Sequence, residues 1–168
     1  QNGTFSFTSG STTSSIGDNV VIGNSALIFY YQSTDTSDNY NDNAVRGRIT
    51  GVNQLTFDLD ATGATGTKSG HWYVFESVDG SFTVQNTTLS FASAATTATG
   101  TINSVQQNKT FLIASYITSE TSDDPRDGSL RVNLTNSTTI TGTRLGTPAA
   151  TITATVYAVT FSGSENVQ

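Results

Sequence analysis

The middle of the chain reads Phe82-Thr83-Val84-Gln85-Asn86-Thr87-Thr88-Leu89-Ser90-Phe91. From Gln85 onward this stretch restates the opening of the chain, which is Gln1-Asn2-Gly3-Thr4-Phe5-Ser6-Phe7. Its Val84-Gln85 pair is restated by the last two residues, Val167-Gln168. A fixed internal period is the signature of a repeat architecture. The sequence therefore predicts an internal duplication with two domains, residues 1–84 and 85–168.

Further matches follow in the same order along both copies. They pair Ala26–Tyr31 with Phe111–Tyr116, Thr36–Asp38 with Thr121–Asp123, Val45–Thr50 with Leu130–Thr135, and Trp72–Phe75 with Val156–Val159. One such match could arise by chance in a chain rich in Ser and Thr, but an ordered series indicates repetition. Between Val84, which ends the first copy, and Leu89 of the second stand only Gln85 to Thr88, with no Gly/Ser/Pro linker. We therefore expect the two units to hold a nearly fixed relation, as neighbouring repeats do.

Composition and charge exclude several classes of protein. The net charge of −6 argues against a nucleic-acid partner, which requires a basic face. No apolar run reaches the roughly 18 residues of a membrane helix, so no membrane insertion is predicted. The chain has no cysteine and therefore no disulfide. It also lacks methionine, which indicates a processed or excised chain, and Gln1 suits the mature end of a secreted protein. We expect an extracellular location.

Hydrophobic alternation predicts an all-β fold. Val45–Ile49 and Leu55–Leu59 alternate with period two, as half-buried strands do. Ala26–Tyr31 is apolar on both faces and is predicted as a central strand, whereas Ser81–Val84 is predicted to end the first copy. Short strands between turn signals favour two tandem β-sandwich or jelly-roll-like domains. The remaining predicted strands are Thr4–Phe7, His71–Phe75, Leu89–Phe91, Phe111–Tyr116, Leu130–Leu134, Thr138–Thr143 and Ile152–Phe161.

Two acidic loops occupy matching places in the copies. Carboxylates and amide oxygens are the ligands that calcium prefers, although neither loop follows the EF-hand spacing. Solvated turns rich in Asp and Asn are the alternative. The candidate calcium ligands are Asp35, Asp38, Asp42, Asp123, Asp124 and Asp127.

Catalytic patterns are weak, and the chain is predicted not to be an enzyme. His71 is its one histidine, and the second copy has Thr155 in that place. Arg46 and Arg131 match one another, and each is expected to pair with its own acidic loop or, alternatively, with a ligand or partner carboxylate.

Aromatic residues on the predicted strands are expected to be mostly core. This set comprises Phe7, Phe29, Tyr31, Tyr73, Phe91, Phe111, Tyr116 and Tyr157. Tyr40 and Trp72 are instead candidates for stacking on a sugar, an interpretation that an absence of glycan binding would remove. Five Asn-x-Ser/Thr sequons are glycosylation candidates, at Asn2, Asn86, Asn108, Asn133 and Asn136.

The chain resembles the tandem-repeat β-sandwich proteins of secreted prokaryotic or viral fibres, sheaths and adhesins. The resemblance rests on the repeated Gln-Asn-x-Thr opening, the Val-Gln ending and the paired Thr-Ser-Asp loops. It implies an extracellular protein that is structural or adhesive and often polymeric.

Three functions remain open from the sequence. The favoured one is a subunit of an extracellular filament or surface fibre, polymerising head to tail with itself, with strand donation as one route. The alternatives are a carbohydrate-binding adhesin or phage tail-fibre module, and a viral capsid or decoration protein. The predicted subunit or repeat junction comprises Gln1, Asn2, Thr4, Phe5, Phe7, Val84, Gln85, Asn86, Val167 and Gln168.

Overall fold

The computed structural model describes residues 1–37, 39–60, 66–121, 124–146, 149–164 and 167. In this part of the chain the fold is all-β, with short 3-10 helices at Ile22–Asn24, Tyr40–Asp42 and Gln107–Lys109 and one helical turn at Pro125–Gly128. The strands are β1 Asn2–Phe7, β2 Ser11–Ser15, β3 Ser25–Ser33, β4 Arg46–Gly51, β5 Gln54–Asp58, β6 Lys68–Glu76, β7 Phe82–Phe91, β8 Thr97–Thr101, β9 Thr110–Thr118, β10 Arg131–Asn136, β11 Thr139–Thr143 and β12 Ile152–Phe161.

The strands form four antiparallel three-stranded sheets, two in each half of the chain. In the first half, β1 to β6, the sheet orders are β1-β6-β3 and β2-β5-β4. In the second half, β7 to β12, they are β7-β12-β9 and β8-β11-β10. The register also agrees, because Tyr73 of β6 lies between Asn2 and Ile28 as Tyr157 of β12 lies between Asn86 and Ile113. The two halves therefore share one strand order and one register at these positions.

Aromatic rings fill the core between the two sheets of the first half. Phe5 of β1 stacks on Phe57 of β5 with ring centroids 3.9 Å apart, and Phe29 of β3 meets Phe57 edge-on at 5.3 Å. Gly47 of β4 leaves the room for Phe29, since a Cβ there would lie 2.6 Å from that ring. Trp72 is buried beside them and donates its indole N–H to Ser14 Oγ at 2.9 Å.

Aliphatic side chains fill the corresponding core of the second half. Leu89, Ile140 and Val156 are fully buried there, together with Phe91. The position of Phe57 is taken by Gly142, where a Cβ would come within 2.8 Å of the Phe91 ring. Large and small residues are thus exchanged between the two cores while the strand order stays the same.

Two strand predictions differ from the structure. Ala26–Tyr31 lies in β3, which is an edge strand and not a central one, because β6 occupies the middle of that sheet. Residues 82–84 do not end the first half; they begin β7, which pairs with β12 from Phe82 to Phe91. The segment between the predicted units is therefore an uninterrupted strand. No helix among the described residues is long and apolar enough to span a membrane.

Candidate functional site

The two halves meet through one face of a sheet. The sheet β7-β12-β9 turns its inner face to the core of the second half, and its outer face covers the β3 and β4 edge of the first half. Val84, Tyr157 and Val159 of that outer face are buried in the core cluster of the first half. We call this contact the internal interface.

Two hydroxyl groups satisfy the main chain of the edge strand β4 in this interface. The Tyr157 hydroxyl accepts the Ile49 N–H at 2.9 Å. Ser115 Oγ accepts the Gly47 N–H at 3.1 Å and donates to the Gly47 carbonyl at 3.2 Å. Unpaired main-chain groups on an edge strand otherwise invite pairing with another chain. Tyr157 is 3% exposed, and this burial raises the pKa of its hydroxyl.

The corresponding face of the first half is open to solvent. It lies on the sheet β1-β6-β3 and carries Ile28, Tyr30 and Tyr73, with exposed fractions of 44%, 56% and 45%. The Tyr30 ring stacks on His71 at 5.6 Å and faces Tyr73 at 6.2 Å between centroids. These four residues form what we call the aromatic face. An exposed apolar patch rimmed by polar residues is typical of an interaction site.

Sequence reasoning placed Tyr73 in the core with the other strand aromatics, and the structure corrects this. Trp72 and Val74 point inward, so Tyr73 between them must point outward on the same strand. Ser115, Ile28 and Tyr30 were not selected as functional residues either. Ile28-Phe29-Tyr30-Tyr31 places apolar residues on both faces of its strand. One face packs on the core, so the other face, with Ile28 and Tyr30, needs a second surface to cover it. This pattern could have identified the two exposed residues.

A cleft of about 410 Å³ lies between the halves, beside the internal interface. Tyr31 and Tyr40 of the first half line it opposite Ile113 and Tyr116 of the second. Burial raises the pKa of Tyr116 to about 12. Tyr40, which the sequence predicted to stack on a sugar, is one of the residues that line this cleft. Trp72 is 2% exposed and is not available for stacking.

The predicted junction residues divide between local contacts and the core. Gln85 clamps Asn103, accepting its N–H at 2.7 Å and donating to its carbonyl at 3.2 Å. Gln1 clamps Asp18 in the same way, at 2.8 and 3.0 Å. Of the remainder, Phe5 and Phe7 are buried in the first-half core, Val84 is buried in the internal interface, and Asn2, Thr4 and Asn86 are exposed. The Val167 N–H donates to the Asn108 carbonyl at 2.7 Å, and Gln168 lies outside the described residues.

These contacts place several junction residues inside their own half, and their contact with another subunit stays a prediction. The rings of Phe5 and Phe7 pack inside the first half and are not on the surface of the chain. The glutamine side chains are engaged with the main chain of their own half.

The candidate calcium ligands whose side chains the structure describes, Asp35, Asp42 and Asp124, face cations or loop donors. Asp35 Oδ2 lies 3.1 Å from Lys68 Nζ, and both side chains are almost fully buried. Asp42 accepts the Ser37 hydroxyl at 2.6 Å, and Asp124 pairs with Arg126 at 2.6 Å. No cluster of three or more metal-ligating side chains occurs among the described residues. Asp38, Asp123 and the side chain of Asp127 lie outside them, so calcium binding stays a prediction.

Asp35 gives the stability of the fold a pH dependence. Hydrogen bonds from the N–H groups of Ser37 and Gly66, together with the Lys68 ammonium, hold its pKa well below the usual range. Because the folded pKa is lowered, the charged carboxylate stabilises the fold above the unfolded value of about 3.9, and this is lost as pH falls below it. Asp35→Asn should lower the melting temperature at pH 7, with a difference that narrows towards pH 2. Asp60→Asn, at an exposed carboxylate, is the control. A difference that stays constant with pH would contradict this assignment.

The paired arginines bind neighbouring strands and not the acidic loops. Arg46 makes a bidentate pair with Asp58 of β5, at 3.1 and 2.6 Å, and Arg48 joins the same carboxylate at 2.8 Å. Arg131 donates to Thr143, which occupies the position of Asp58 in the second half. The expectation of loop pairing is wrong for Arg46.

All five sequon asparagines are exposed and accessible to modification, namely Asn2, Asn86, Asn108, Asn133 and Asn136. Whether they carry glycans stays a prediction.

Comparison of the chain with family models, curated proteins and solved structures found no match.

Proposed function

We propose that this chain is a structural subunit of an extracellular filament or cell-surface fibre that assembles head to tail with copies of itself. The observation that carries the proposal is the agreement between the halves in strand order, register and glutamine clamp. We interpret this agreement as an internal duplication into two tandem sandwich domains. The jelly-roll description of each domain stays a prediction.

The way in which the halves are joined supports a polymer. They pack directly through the internal interface, and β7 enters the second half without a linker. Such a contact joins different surfaces of two similar units, and a contact of this heterologous kind extends into a filament when it does not close on itself. A unit that already binds its own repeat in this way provides the geometry for binding the next chain.

The composition of the chain supports an extracellular assembly. Charged residues are 12% of the chain, roughly half the usual share of about 25%. Low charge density weakens the repulsion between closely packed copies of a protein with net charge −6. Five exposed sequons add sites for glycans if the chain is exported to a compartment that attaches them.

Negative-stain electron microscopy of the purified chain, with its mass measured at several concentrations, tests this function. We expect rods that lengthen with protein concentration and repeat once per chain. Closed shells would favour the capsid or decoration alternative instead. A chain that stays monomeric at every concentration would contradict the filament.

A further inference from the structure

We infer that the aromatic face of one chain docks on the β9 and β10 edge of a second copy, and that this contact copies the internal interface. The inference rests on the proposed self-assembly and identifies the two surfaces that perform it. Each half has the same two surfaces, which are the outer face of one sheet and the strand edge beside it. Within one chain, the face of the second half covers the edge of the first half. The face of the first half and the edge of the second half are left for another copy.

The docking face comes from the equivalence of β6 and β12. Tyr73 occupies the position of Tyr157, and Ile28 that of Ile113, because each Tyr lies in register with the corresponding Ile across the sheet. In the second half Tyr157 is 3% exposed under the internal interface, whereas in the first half Tyr73 is 45% exposed. The face that the second half buries is therefore the face that the first half leaves open.

The receiving edge comes from the equivalence of β4 and β10. Both are edge strands, and both carry a register shift at the same place, between Ile49 and Gly51 and between Leu134 and Asn136. Gly47 and Ile49 offer their N–H groups to the internal interface. Val132 and Leu134 hold the same positions on β10. The Leu134 carbonyl turns away from β11 to accept the Gln107 side chain at 3.3 Å, as an outward-facing edge group does.

Side chains along the receiving edge are partly open, as the inference requires. Val132 is half-buried where its counterpart Gly47 at the covered edge is buried, and Leu134 and its counterpart Ile49 are both half-buried. Ala114 of β9 is exposed and lines the cleft between the halves. In the docked pair the Tyr73 hydroxyl would accept the Leu134 N–H, as the Tyr157 hydroxyl accepts that of Ile49. Tyr30 stands where Ser115 does and offers a larger apolar surface over Val132. Apolar burial with main-chain hydrogen bonding is the usual basis of recognition at a sheet edge.

One substitution on the aromatic face has a matched control on the same sheet. Tyr73→Lys places a charge in the centre of the face. Thr4→Lys adds the same charge on β1, at the position of Thr88, which stays exposed beside the internal interface. Sedimentation of each variant over a range of concentrations measures assembly, and the melting temperature verifies folding. We expect Tyr73→Lys to remain monomeric and Thr4→Lys to polymerise as the unmodified chain does.

A mixing experiment tests whether the two surfaces are different, as a head-to-tail contact requires. Val132→Pro replaces the N–H that corresponds to the Gly47 N–H of the internal interface with a proline ring, which blocks the approach of another chain to an edge strand where proline is tolerated. A Tyr73→Lys chain retains its edge, and a Val132→Pro chain retains its face. Each alone should be monomeric, while an equimolar mixture should form dimers and nothing longer.

The outcomes separate this inference from the filament itself. If the unmodified chain polymerises and folded Tyr73→Lys polymerises equally well, the filament stands and the aromatic face is the wrong surface. Should the unmodified chain stay monomeric, both proposals fail. If Val132→Pro lowers the melting temperature, Val132→Asp tests the same receiving edge without changing the main chain, and a folded Val132→Asp chain that polymerises normally would contradict the assignment of this edge.

Discussion

A Tyr157→Ala variant is expected to lose about 3–5 kcal/mol of unfolding free energy, the usual cost of truncating a buried aromatic side chain. The side chain belongs to the second half, yet it is buried in the core cluster of the first. Its removal would leave a cavity and an unpaired Ile49 N–H in the internal interface. Urea denaturation measures the loss, and a separation of the single transition into two would show that the halves have been uncoupled.

Two further substitutions serve as controls for Tyr157. Tyr157→Phe keeps the ring and removes only the hydroxyl, so its cost should be about 1–3 kcal/mol for the Ile49 N–H left without a partner. Tyr73→Ala makes the same truncation at the equivalent exposed position and should cost about 1 kcal/mol or less. Equal losses for Tyr157→Ala and Tyr73→Ala would show that the internal interface contributes little to folding.

A Phe57→Ala variant is expected to lose a similar amount, about 3–5 kcal/mol, for a different reason. Phe57 is fully buried, and its ring is stacked on Phe5 and edge-on to Phe29. Its removal takes away both aromatic contacts and leaves a cavity that the β-sheet cannot close.

Phe57→Leu is the matched control, because a branched aliphatic side chain refills part of the space. It should cost clearly less than the alanine variant in the same denaturation measurement. A Phe57→Ala loss below about 1 kcal/mol would mean that the first-half core collapses around the gap. It would contradict the view that this ring is the centre of that core.

The sequence predicted the strands well where one face of the strand is buried and the other is exposed to solvent. Val45–Ile49 and Leu55–Leu59 alternate, and both overlap observed strands, since β4 contains all of the first range except Val45 and β5 all of the second except Leu59. The equivalence of Trp72–Phe75 with Val156–Val159 agrees with the register of β6 and β12. Period-two patterning carries this information because it is a property of each strand by itself.

Sheet position was not predictable, since it depends on distant pairing. Ala26–Tyr31 has two apolar faces, which favours a central strand, but β3 is an edge strand whose outer residues Ile28 and Tyr30 are exposed. The apolar pattern of this strand predicts a cover that the isolated chain does not supply. On the present account, the cover is the edge of the next chain.

The candidate site was only partly predictable for the same physical reason. The duplication predicted from the sequence indicated self-association, but it pointed to the chain junction, where Phe5 and Phe7 are core residues. The surface proposed here depends on which face of each sheet is already covered inside the chain. Only the packing of β12 against β4 shows that, through the Tyr157 contact with Ile49.

A cryo-electron microscopy reconstruction of the assembled chain tests this account most directly. If each interchain contact copies the internal interface, successive halves along the filament should be related by one transformation, both within and between chains. The aromatic face of each copy, centred on Tyr73, should then lie on β10 of its neighbour beside Leu134. A reconstruction in which Tyr73 and Tyr30 face solvent, or in which the halves of adjacent chains meet by a different transformation, would contradict it.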